Sequence, residues 1–350
     1  MPKRIGYIME KVLTLDNCTA AVIEGTANLS RTPKIRRIRQ NPEVYGQKIL
    51  DILTAGWKPE PTREKIINES SSHKTRQLRI PTTRDHLIHV AIMRPILKEL
   101  EKRYDFYSCG SIPGRGSKRV GDTIKSWMDG DKPLKYGAQA DVHHAYKSTT
   151  AEVVMRCLRR WIKDEAYLHL HELILEQMGG VLAIGFQPSH WYFNMVMSGV
   201  DRSLRSSFGR KVKFVRYMDN YVMASNRKRT LHKAVRLVME MCAGIALSIN
   251  GDWQVFKTRD RPIAALSYRF FQGYTILKKG IMHAITRNLK RTAKGMCAHL
   301  CRAVMSHIGI LRHCDSYHYR VKYLYHKLSI KRMKELISRA DKKRLLLGTA

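Results

Sequence analysis

The chain has 350 residues, of which 44% are hydrophobic, so it is long enough to form one large domain or two to three small ones and is not a disordered tail. Lysine and arginine number 64 against 29 acidic residues, which gives a formal net charge of +35. This excess favours a polyanionic partner. Nucleic acid is the first candidate because phosphate contacts reward Lys and Arg, and an anionic membrane surface is the competing one.

The sequence contains no uninterrupted apolar run of about 18 residues, so we expect no transmembrane helix. The first residues lack the apolar core of a signal peptide. Seven cysteines are scattered without a CxxC pair, which is typical of reduced thiols in a reducing compartment. We therefore expect a cytoplasmic protein without a membrane partner.

The first half of the chain is predicted to be mainly helical. Residues 1–70 form a basic, helical lead-in, within which residues 30–40 are so rich in arginine and lysine that they favour a loop or arm. A long amphipathic helix is expected over residues 85–103. A loop rich in glycine and proline follows, and Arg115 and Lys118 on it are candidates for phosphate contact.

The second half mixes strands and helices. Tyr136 to Val142 is predicted to be a strand that ends in an acidic residue, and Val212 to Ala224 a β-hairpin with a polar tip. Helical spacing recurs over residues 150–177 and 231–246, and the chain beyond Tyr268 is basic and helix-rich. We therefore expect an α+β fold, with helices segregated around a small antiparallel sheet.

A cluster of cysteines and histidines between residues 297 and 318 invites comparison with zinc sites. Its spacing matches no zinc template. Cys297 and Cys301 are four residues apart in a helix-like stretch, so they are more simply explained as small residues on one helical face.

Two acidic residues are candidates for metal chemistry. Asp141 follows a predicted strand, and Asp219 lies at the tip of the predicted hairpin. Two-metal nucleotidyl transfer needs carboxylates from different parts of the chain, and magnesium prefers hard oxygen ligands. The pattern is compatible with polymerase chemistry but does not by itself demand it.

Several motifs, in the same order, resemble those of reverse transcriptases. The stretch Asp141-Val-His-His-Ala-Tyr146 resembles the first palm motif, and Tyr217-Met218-Asp219-Asn220 resembles the family's Tyr-x-Asp-Asp hairpin. Four further segments match in the same way. They are residues 74–85 and 107–116 of the fingers, residues 184–190 beside the templating base, and residues 266–270 at the primer grip.

The resemblance implies a role for each matching residue. Metal binding falls to Asp141, Val142 and Asp219, with Asn220 beside them in the catalytic set, and with two Mg²⁺ ions, or Mn²⁺, as cofactors. Contacts to the incoming dNTP are implied for Lys74, Arg76, Tyr146 (as a steric gate), Ile184, Gly185 and Ser189. Nucleic-acid contacts are assigned to Arg115, Lys118, Tyr217, Met218, Tyr268, Lys278 and Lys279.

A closer resemblance is to the reverse transcriptases of diversity-generating retroelements, which have Ile, Val or Leu where most relatives have Gln before the glycine, as Ile184 does here. This resemblance implies copying of a template RNA into cDNA with errors at adenine, together with a small basic accessory protein.

Two positions depart from the family pattern. Asn220 stands where the hairpin usually has a second aspartate, so one metal would be held more weakly. His190 follows Ser189 where the retroelement enzymes usually have Gln. Two alternatives therefore stay open: an antiphage defence reverse transcriptase that uses a noncoding RNA and a second defence subunit, and a catalytically weak RNA-binding scaffold.

The expected architecture is a right-handed polymerase with fingers, palm and thumb, a small antiparallel palm sheet and a helical thumb. The lead-in would occupy residues 1–70, the fingers 71–135, the palm 136–275 with part of the fingers inserted, and a basic helical thumb 276–350.

Overall fold

The computed structural model describes residues 4–29, 32–68, 75–129 and 132–347 of the chain. Its N-terminal part is helical. The helices are α1 (Met9–Val12), α2 (Leu15–Thr26), α3 (Pro33–Gln40) and α4 (Pro42–Thr54).

Helix α3 overturns the prediction of a loop or arm over residues 30–40. The hydroxyl of Thr32 caps its first turn by accepting from the N–H of Ile35, and Pro33 supplies a preset backbone angle at the start. Ile35 and Ile38, three residues apart, lie on the buried side. Two apolar residues at helical spacing are therefore sufficient to dock a strongly basic helix.

A hairpin and two helices follow. They are β1 (Arg63–Asn68), β2 (Thr75–Ile80), α5 (Thr83–Arg103) and α6 (Ser117–Met128). Helix α5 agrees with the prediction for residues 85–103 and begins after Thr82, whose side chain accepts from the N–H of Asp85. The C-terminal end of β2 is hydrogen-bonded to a loop distant in the sequence, because the N–H of Arg79 donates to the carbonyl of Ile184 (2.9 Å).

A four-stranded antiparallel sheet forms the centre of the molecule, with the strand order β4-β5-β3-β6. Its strands are β3 (Tyr136–Asp141), β4 (Lys213–Tyr217), β5 (Asn220–Ser225) and β6 (Gln254–Lys257). Between β3 and β4 lie α7 (Ala145–Ser148), α8 (Ala151–Trp161), α9 (Glu165–Gln177), α10 (Pro188–Phe208) and a short 3₁₀ turn (Gly209–Lys211). Helix α11 (Lys228–Ala243) connects β5 to β6.

Both faces of this central sheet are covered. Tyr221 and Met223 of β5 join the core formed with α10 and α11, whereas Val222 and Ala224 point to a second core that contains α6. Side chains alternate between the two faces of a strand, so a strand covered on both faces is apolar throughout. This explains why β5 is buried from Tyr221 to Ser225.

The outer edge of β4 is paired with a loop segment. Arg216 donates its N–H to the carbonyl of Tyr107 (2.9 Å), and its own carbonyl accepts from the N–H of Cys109 (2.8 Å). The segment of residues 107–109 therefore runs alongside β4 in parallel orientation.

The C-terminal part contains a three-stranded sheet followed by helices. The elements are β7 (Ile263–Ala265), β8 (Tyr268–Phe270), β9 (Thr275–Leu277), α12 (Lys279–Lys294), α13 (Ala298–Leu311), α14 (Tyr317–Arg320), a π-helical turn (Val321–Tyr325) and α15 (Ile330–Leu347). Their apolar faces share the second core. None of the helices within the described ranges is both long and apolar enough to cross a bilayer.

Candidate functional site

The hairpin of β4 and β5 closes with a two-residue turn. Tyr217 pairs with Asn220, which leaves Met218 and Asp219 at the tip. Met218 has a φ of +55°, in the left-handed region that residues other than glycine, asparagine and aspartate rarely adopt. The sharp turn places the side chain of Asp219 at the end of the sheet.

Asp141 reaches the same end from the neighbouring strand. It lies opposite Asn220 in the register of β3 and β5, and the N–H of Val142 donates to the carbonyl of Asp219 (3.1 Å). The antiparallel register therefore brings together the two acidic residues that the sequence singled out. We call this end of the central sheet, with Asp141, Asp219 and Asn220, the acidic end.

Asn250 holds Asp141 in position. Its side-chain amide donates to Oδ2 of Asp141 (2.9 Å), and its N–H donates to the carbonyl of the same residue (2.8 Å). The amide oxygen of Asn250 lies 2.7 Å from Nδ1 of His143, which fits an N–H donor on that ring nitrogen. The Asp141 carboxylate is thus oriented by a residue on another segment.

The donor set of the acidic end fits a divalent ion that shares its ligands with a substrate. Two carboxylates, with an amide oxygen nearby, are hard oxygen donors of the kind that Mg²⁺ and Mn²⁺ accept, and Mg²⁺ commonly adds substrate phosphates to one or two carboxylates. The amide of Asn220 donates to Oδ1 of Asp219 (3.2 Å), so it supplies a hydrogen bond where an aspartate would supply charge.

Within the described ranges, no three His, Cys, Asp or Glu side chains cluster closely enough to hold a metal ion by themselves. This applies to the cysteines and histidines between residues 297 and 318 as well. Cys301 is buried on α13, as expected of a helix-face residue, whereas Cys297 is exposed and precedes the first turn of that helix.

A fully buried ion pair lies directly beneath the hairpin. The guanidinium of Arg216 on β4 donates from Nε to Oδ1 of Asp201 on α10 (2.9 Å) and from Nη2 to Oδ2 (2.7 Å). Both side chains are 0% exposed. The bidentate geometry is the strong form of this contact.

The same guanidinium supports the turn itself. Its Nη1 donates to the carbonyl of Met218 (2.7 Å) and to the amide oxygen of Asn194 (3.0 Å). The carboxylate of Asp201 has further partners, because the hydroxyls of Ser108 and Tyr221 both donate to it (2.6 Å each). Every strong donor and acceptor in this buried network therefore has a partner, as burial of charge requires.

Burial alone would lower the pKa of Arg216, but the charge of Asp201 outweighs it and raises the pKa above its usual value. The guanidinium is consequently charged at every ordinary pH. Breaking one side of such a pair leaves an uncompensated charge in the interior.

A close backbone approach fixes the hairpin tip from the other side. A Cβ at Gly110 would lie 2.5 Å from the backbone nitrogen of Met218, so only glycine fits there. The carbonyl of Gly110 accepts from the side-chain amide of Asn194 (2.8 Å), which also belongs to the network of Arg216. The glycine-rich loop is thereby part of the support of the acidic end.

Several of the described residues assigned to the nucleotide lie on segments that contact one another. Arg76 lies on β2, and β2 pairs with the loop at Ile184. Gly185 has a φ of +113°, and a Cβ there would lie 2.2 Å from the carbonyl oxygen of Arg79, so glycine is required. Lys74 lies outside the described residues.

The same loop continues towards Asp219. The N–H of Leu182 donates to the carbonyl of Thr149 (3.0 Å), three residues after Tyr146. The ring of Tyr146 packs on that of Phe193, with 5.7 Å between the ring centres. Burial raises the pKa of the Tyr146 hydroxyl, and the negative charge of Asp219 makes a second, smaller contribution in the same direction. Tyr146 is therefore close to the acidic end.

Ser189 does not face the space in front of this loop. It is buried, and its hydroxyl donates to the carbonyl of Ala183 (2.6 Å). Its contribution is to hold the shape of the loop that carries Ile184 and Gly185. Its direct contact with the nucleotide stays a prediction.

Arg115 and Lys118 have internal partners. The guanidinium of Arg115 donates to the carbonyls of Asp105 (2.7 Å) and Glu101 (3.1 Å) at the end of α5, which gives it a structural role. The ammonium of Lys118 lies 2.7 Å from the carboxylate of Asp122 one turn further along α6, in an exposed pair. An exposed pair of this kind is weak, so Lys118 stays available to a phosphate.

Tyr268, which the resemblance assigns to nucleic-acid contact, packs in the second core, and the contact itself stays a prediction. Tyr268 is 9% exposed, and its hydroxyl donates to the carbonyl of Ile310 (3.0 Å). Lys278 is half-buried before the first turn of α12, with a pKa lowered by burial, whereas Lys279 is exposed. Tyr217 and Met218 are half-buried at the hairpin.

The supporting residues were not predicted from the sequence, although it carried a signal for some of them. Arg216 is a charge directly after the buried apolar residues Phe214 and Val215 of β4, and Asp201 is an acid on helix α10, most of which is buried. Two opposite charges in buried elements are expected to pair. Asn250 offers no comparable signal, because asparagine before glycine is equally typical of a turn.

Comparison with known proteins places the chain in a family. A family model described as reverse transcriptase (RNA-dependent DNA polymerase) matches residues 66–270, which is more than half of the chain. The sequence matches no curated protein as a relative.

Comparison with solved structures gives matches to two telomerases at low sequence identity. Telomerase from Candida albicans, in complex with a TWJ fragment of telomeric RNA, shows 12% identity and a TM-score of 0.49 over 76% of this chain and 55% of that chain. Apo telomerase from Candida tropicalis, truncated from its C-terminal domain, shows 11% identity and a TM-score of 0.43 over 65% and 56%. This chain thus spans about half the length of those proteins. By its match over residues 66–270, the chain belongs to the reverse transcriptase family.

Proposed function

We propose that this protein is an RNA-directed DNA polymerase. The reaction is attack of a primer 3′-hydroxyl on the α-phosphate of a dNTP, opposite an RNA template, and its products are cDNA and pyrophosphate. The observation that carries the proposal is the register that sets Asp141 opposite Asn220 and bonds the N–H of Val142 to the carbonyl of Asp219. This juxtaposition of two carboxylates occurs in a chain of the reverse transcriptase family.

In this proposal Asp141 and Asp219 hold two Mg²⁺ ions, or Mn²⁺, with Val142 beside them. The ions would supply positive charge to the attacking and leaving oxygens. Asn250 keeps the Asp141 carboxylate oriented, and Arg216 keeps the turn of Asp219 fixed. Asn220 lowers the negative charge of the site, so metal binding is weaker than with two hairpin aspartates.

The remaining proposed roles concern the incoming nucleotide and the duplex. Lys74, just before β2 in the sequence, and Arg76, on β2, steady the triphosphate, and Ile184 and Gly185 line the nucleotide. Tyr146 excludes a ribose 2′-hydroxyl. The proposed division is fingers over residues 71–135, palm over 136–275 and thumb over 276–350, in which Lys279 and its neighbours on α12 contact duplex phosphates.

A primer-extension assay on RNA and DNA templates tests the proposal. The wild type is expected to extend the primer, and Asp219→Ala to reduce extension on the order of a thousandfold, because several kcal/mol of metal-dependent stabilisation is lost. Asp51→Ala is the matched control and should retain wild-type activity, since Asp51 is exposed on α4, a helix that packs on α2, α3 and α5.

If the wild type extends no primer on any template with Mg²⁺ or Mn²⁺, the polymerase proposal fails and an RNA-binding scaffold replaces it. Asn220→Asp is a further variant in this assay. It restores a carboxylate at the hairpin, so it should lower the metal concentration needed for half-maximal rate.

We also propose that the polymerase is of the diversity-generating-retroelement type, on the strength of Ile184 before Gly185. Its partners would then be a template RNA and a small basic accessory protein. Sequencing of cDNA made on a template with all four bases tests this: errors concentrated at adenine support it. An even error distribution favours the alternative of a defence enzyme working on a noncoding RNA.

A further inference from the structure

The end of the central sheet opposite to the acidic end contains an open pocket of about 720 Å³. It is lined by the residues just before and at the start of β3, the end of β6 and the turn after β8. We call it the basic pocket. The residues used below are Lys132, Lys135, Tyr136, Lys257, Arg259 and Gln272.

Four cationic side chains surround the basic pocket, and the described part of its lining includes no carboxylate. They are Lys132, Lys135, Lys257 and Arg259. All four are exposed, and none is in an ion pair with another described residue. Like charges gathered around one cavity repel each other, and a polyanion in the cavity relieves that repulsion.

The walls of the basic pocket are held by hydrogen bonds between separate segments. The hydroxyl of Thr258 donates to the carbonyl of Leu134 (2.6 Å), and the amide of Gln272 donates to that hydroxyl oxygen (3.2 Å). The N–H of Thr258 donates to the carbonyl of Lys135 (3.0 Å). The cavity is therefore preformed, while its cationic groups reach into solvent.

The basic pocket is too far from the acidic end to hold the same nucleotide. Tyr136 and Asp141 are the first and last residues of β3, and five steps of about 3.4 Å separate them by about 17 Å. A ligand of the basic pocket is thus additional to the dNTP and to the primer terminus.

The volume and the aromatic lining of the cavity favour an unpaired nucleic acid over a duplex. Its volume lies within the range of about 300–1,000 Å³ that encloses small-molecule-sized groups, which suits one or two nucleotides. In a duplex the bases face inward and cannot enter a cavity, whereas unpaired bases stack on aromatic rings. Tyr136 offers a half-buried ring beside Lys257, its partner in the register of β3 and β6.

We propose that the basic pocket binds an unpaired segment of RNA through its phosphates, at a distance from the acidic end. Lys135 and Lys257 contact phosphates, and Tyr136 stacks on a base. The pocket therefore anchors an RNA outside the segment that pairs with a primer. This binding needs neither metal nor nucleotidyl transfer, so it stands apart from the polymerase proposal.

Fluorescence anisotropy with a labelled, single-stranded oligouridylate in EDTA tests the proposal. The double variant Lys135→Ala/Lys257→Ala should bind the RNA about tenfold more weakly than the wild type. The slope of log affinity against log salt should become shallower by about 1.4, because each lost contact to single-stranded phosphate contributes about 0.7. Tyr136→Leu should weaken binding with no change in the salt slope.

The matched control is Lys48→Ala/Lys98→Ala, which removes the same charge from exposed positions on α4 and α5. Equal losses in the two double variants would overturn the proposal, because the effect would then be general charge. A polyglutamate of matched length that displaces the RNA at equal concentration would overturn it in favour of an acidic protein partner. Displacement by free UMP as effectively as by RNA would show that the site serves a free nucleotide and would overturn it as well.

Discussion

The two ends of the central sheet differ in how their charges are supported. At the acidic end, Asp141 is bonded by Asn250, and the turn of Asp219 rests on the buried guanidinium of Arg216. At the basic pocket, the backbone is fixed but the lysine side chains extend into solvent. Chemistry at a defined atom needs preorganised groups, whereas phosphate binding tolerates flexible cations. The acidic end therefore holds its side chains in fixed positions, whereas the basic pocket fixes only its backbone.

Removing Arg216 should give the largest effect that distinguishes the two ends. Arg216→Met leaves the buried Asp201 carboxylate without its charged partner, so we expect the free energy of unfolding to fall by about 3–5 kcal/mol. The double variant Arg216→Met/Asp201→Leu removes both charges and should be less destabilised than the single one. Urea unfolding measures both.

Lys135→Met at the basic pocket is the counterpart in this experiment, and it should change stability by no more than about 0.5 kcal/mol because the side chain is exposed. An Arg216→Met protein as stable as Lys135→Met would show that the buried pair does not support the hairpin.

Acid should lower the free energy of unfolding through three histidines whose pKa values are lowered by burial. Burial lowers the pKa of His89 and His171 to about 3 and that of His190 to about 4. The unfolded chain binds protons near pH 6.5 and the folded one does not, so stability is lost as pH falls below about 6.5. Between pH 7.5 and 5.5 each histidine should cost about 1.4 kcal/mol.

Urea unfolding at the two pH values checks this expectation. His171→Phe should reduce the difference between pH 7.5 and 5.5 by about 1.4 kcal/mol. His283→Phe, on the exposed side of α12, should leave it unchanged. If both variants keep the wild-type difference, the buried ring of His171 is not responsible for acid sensitivity.

The smallest effect is expected from Asn250. Asn250→Ala removes one hydrogen bond to the Asp141 carboxylate, so primer extension should fall about tenfold or less, in line with about 1 kcal/mol per hydrogen bond. The metal concentration for half-maximal rate should rise, while the unfolding midpoint stays close to wild type. An unchanged metal dependence would contradict the positioning role of Asn250.

Sequence patterns predicted the framework of the acidic end well. The strand over residues 136–142, the hairpin over 212–224 and the helix over 85–103 correspond to β3, the pair β4 and β5, and α5. Their periodicity is visible because each is long and has a defined apolar face. The α+β class and the reverse transcriptase family were also predicted correctly.

What the sequence did not predict depends on contacts between distant segments. The strands β7, β8 and β9 have three residues each, too short for a period to be recognised. The burial of Tyr268 and Ser189 follows from α13 and from the loop at Ala183, and neither neighbour can be identified from local spacing. The composition of residues 30–40 does not indicate helix α3, because arginines and lysines outnumber the two buried residues, Ile35 and Ile38, that dock it.

The pairing of residues 107–109 with β4 also bears on how the protein behaves in concentrated solution. An open sheet edge is a template for the strand of another molecule, and such edges promote aggregation. The backbone groups of Arg216 that face outward from β4 are already bonded to Tyr107 and Cys109. At Arg216 the edge of β4 is therefore closed to the strand of a second copy, and this protects the end of the strand that leads into the hairpin of Asp219.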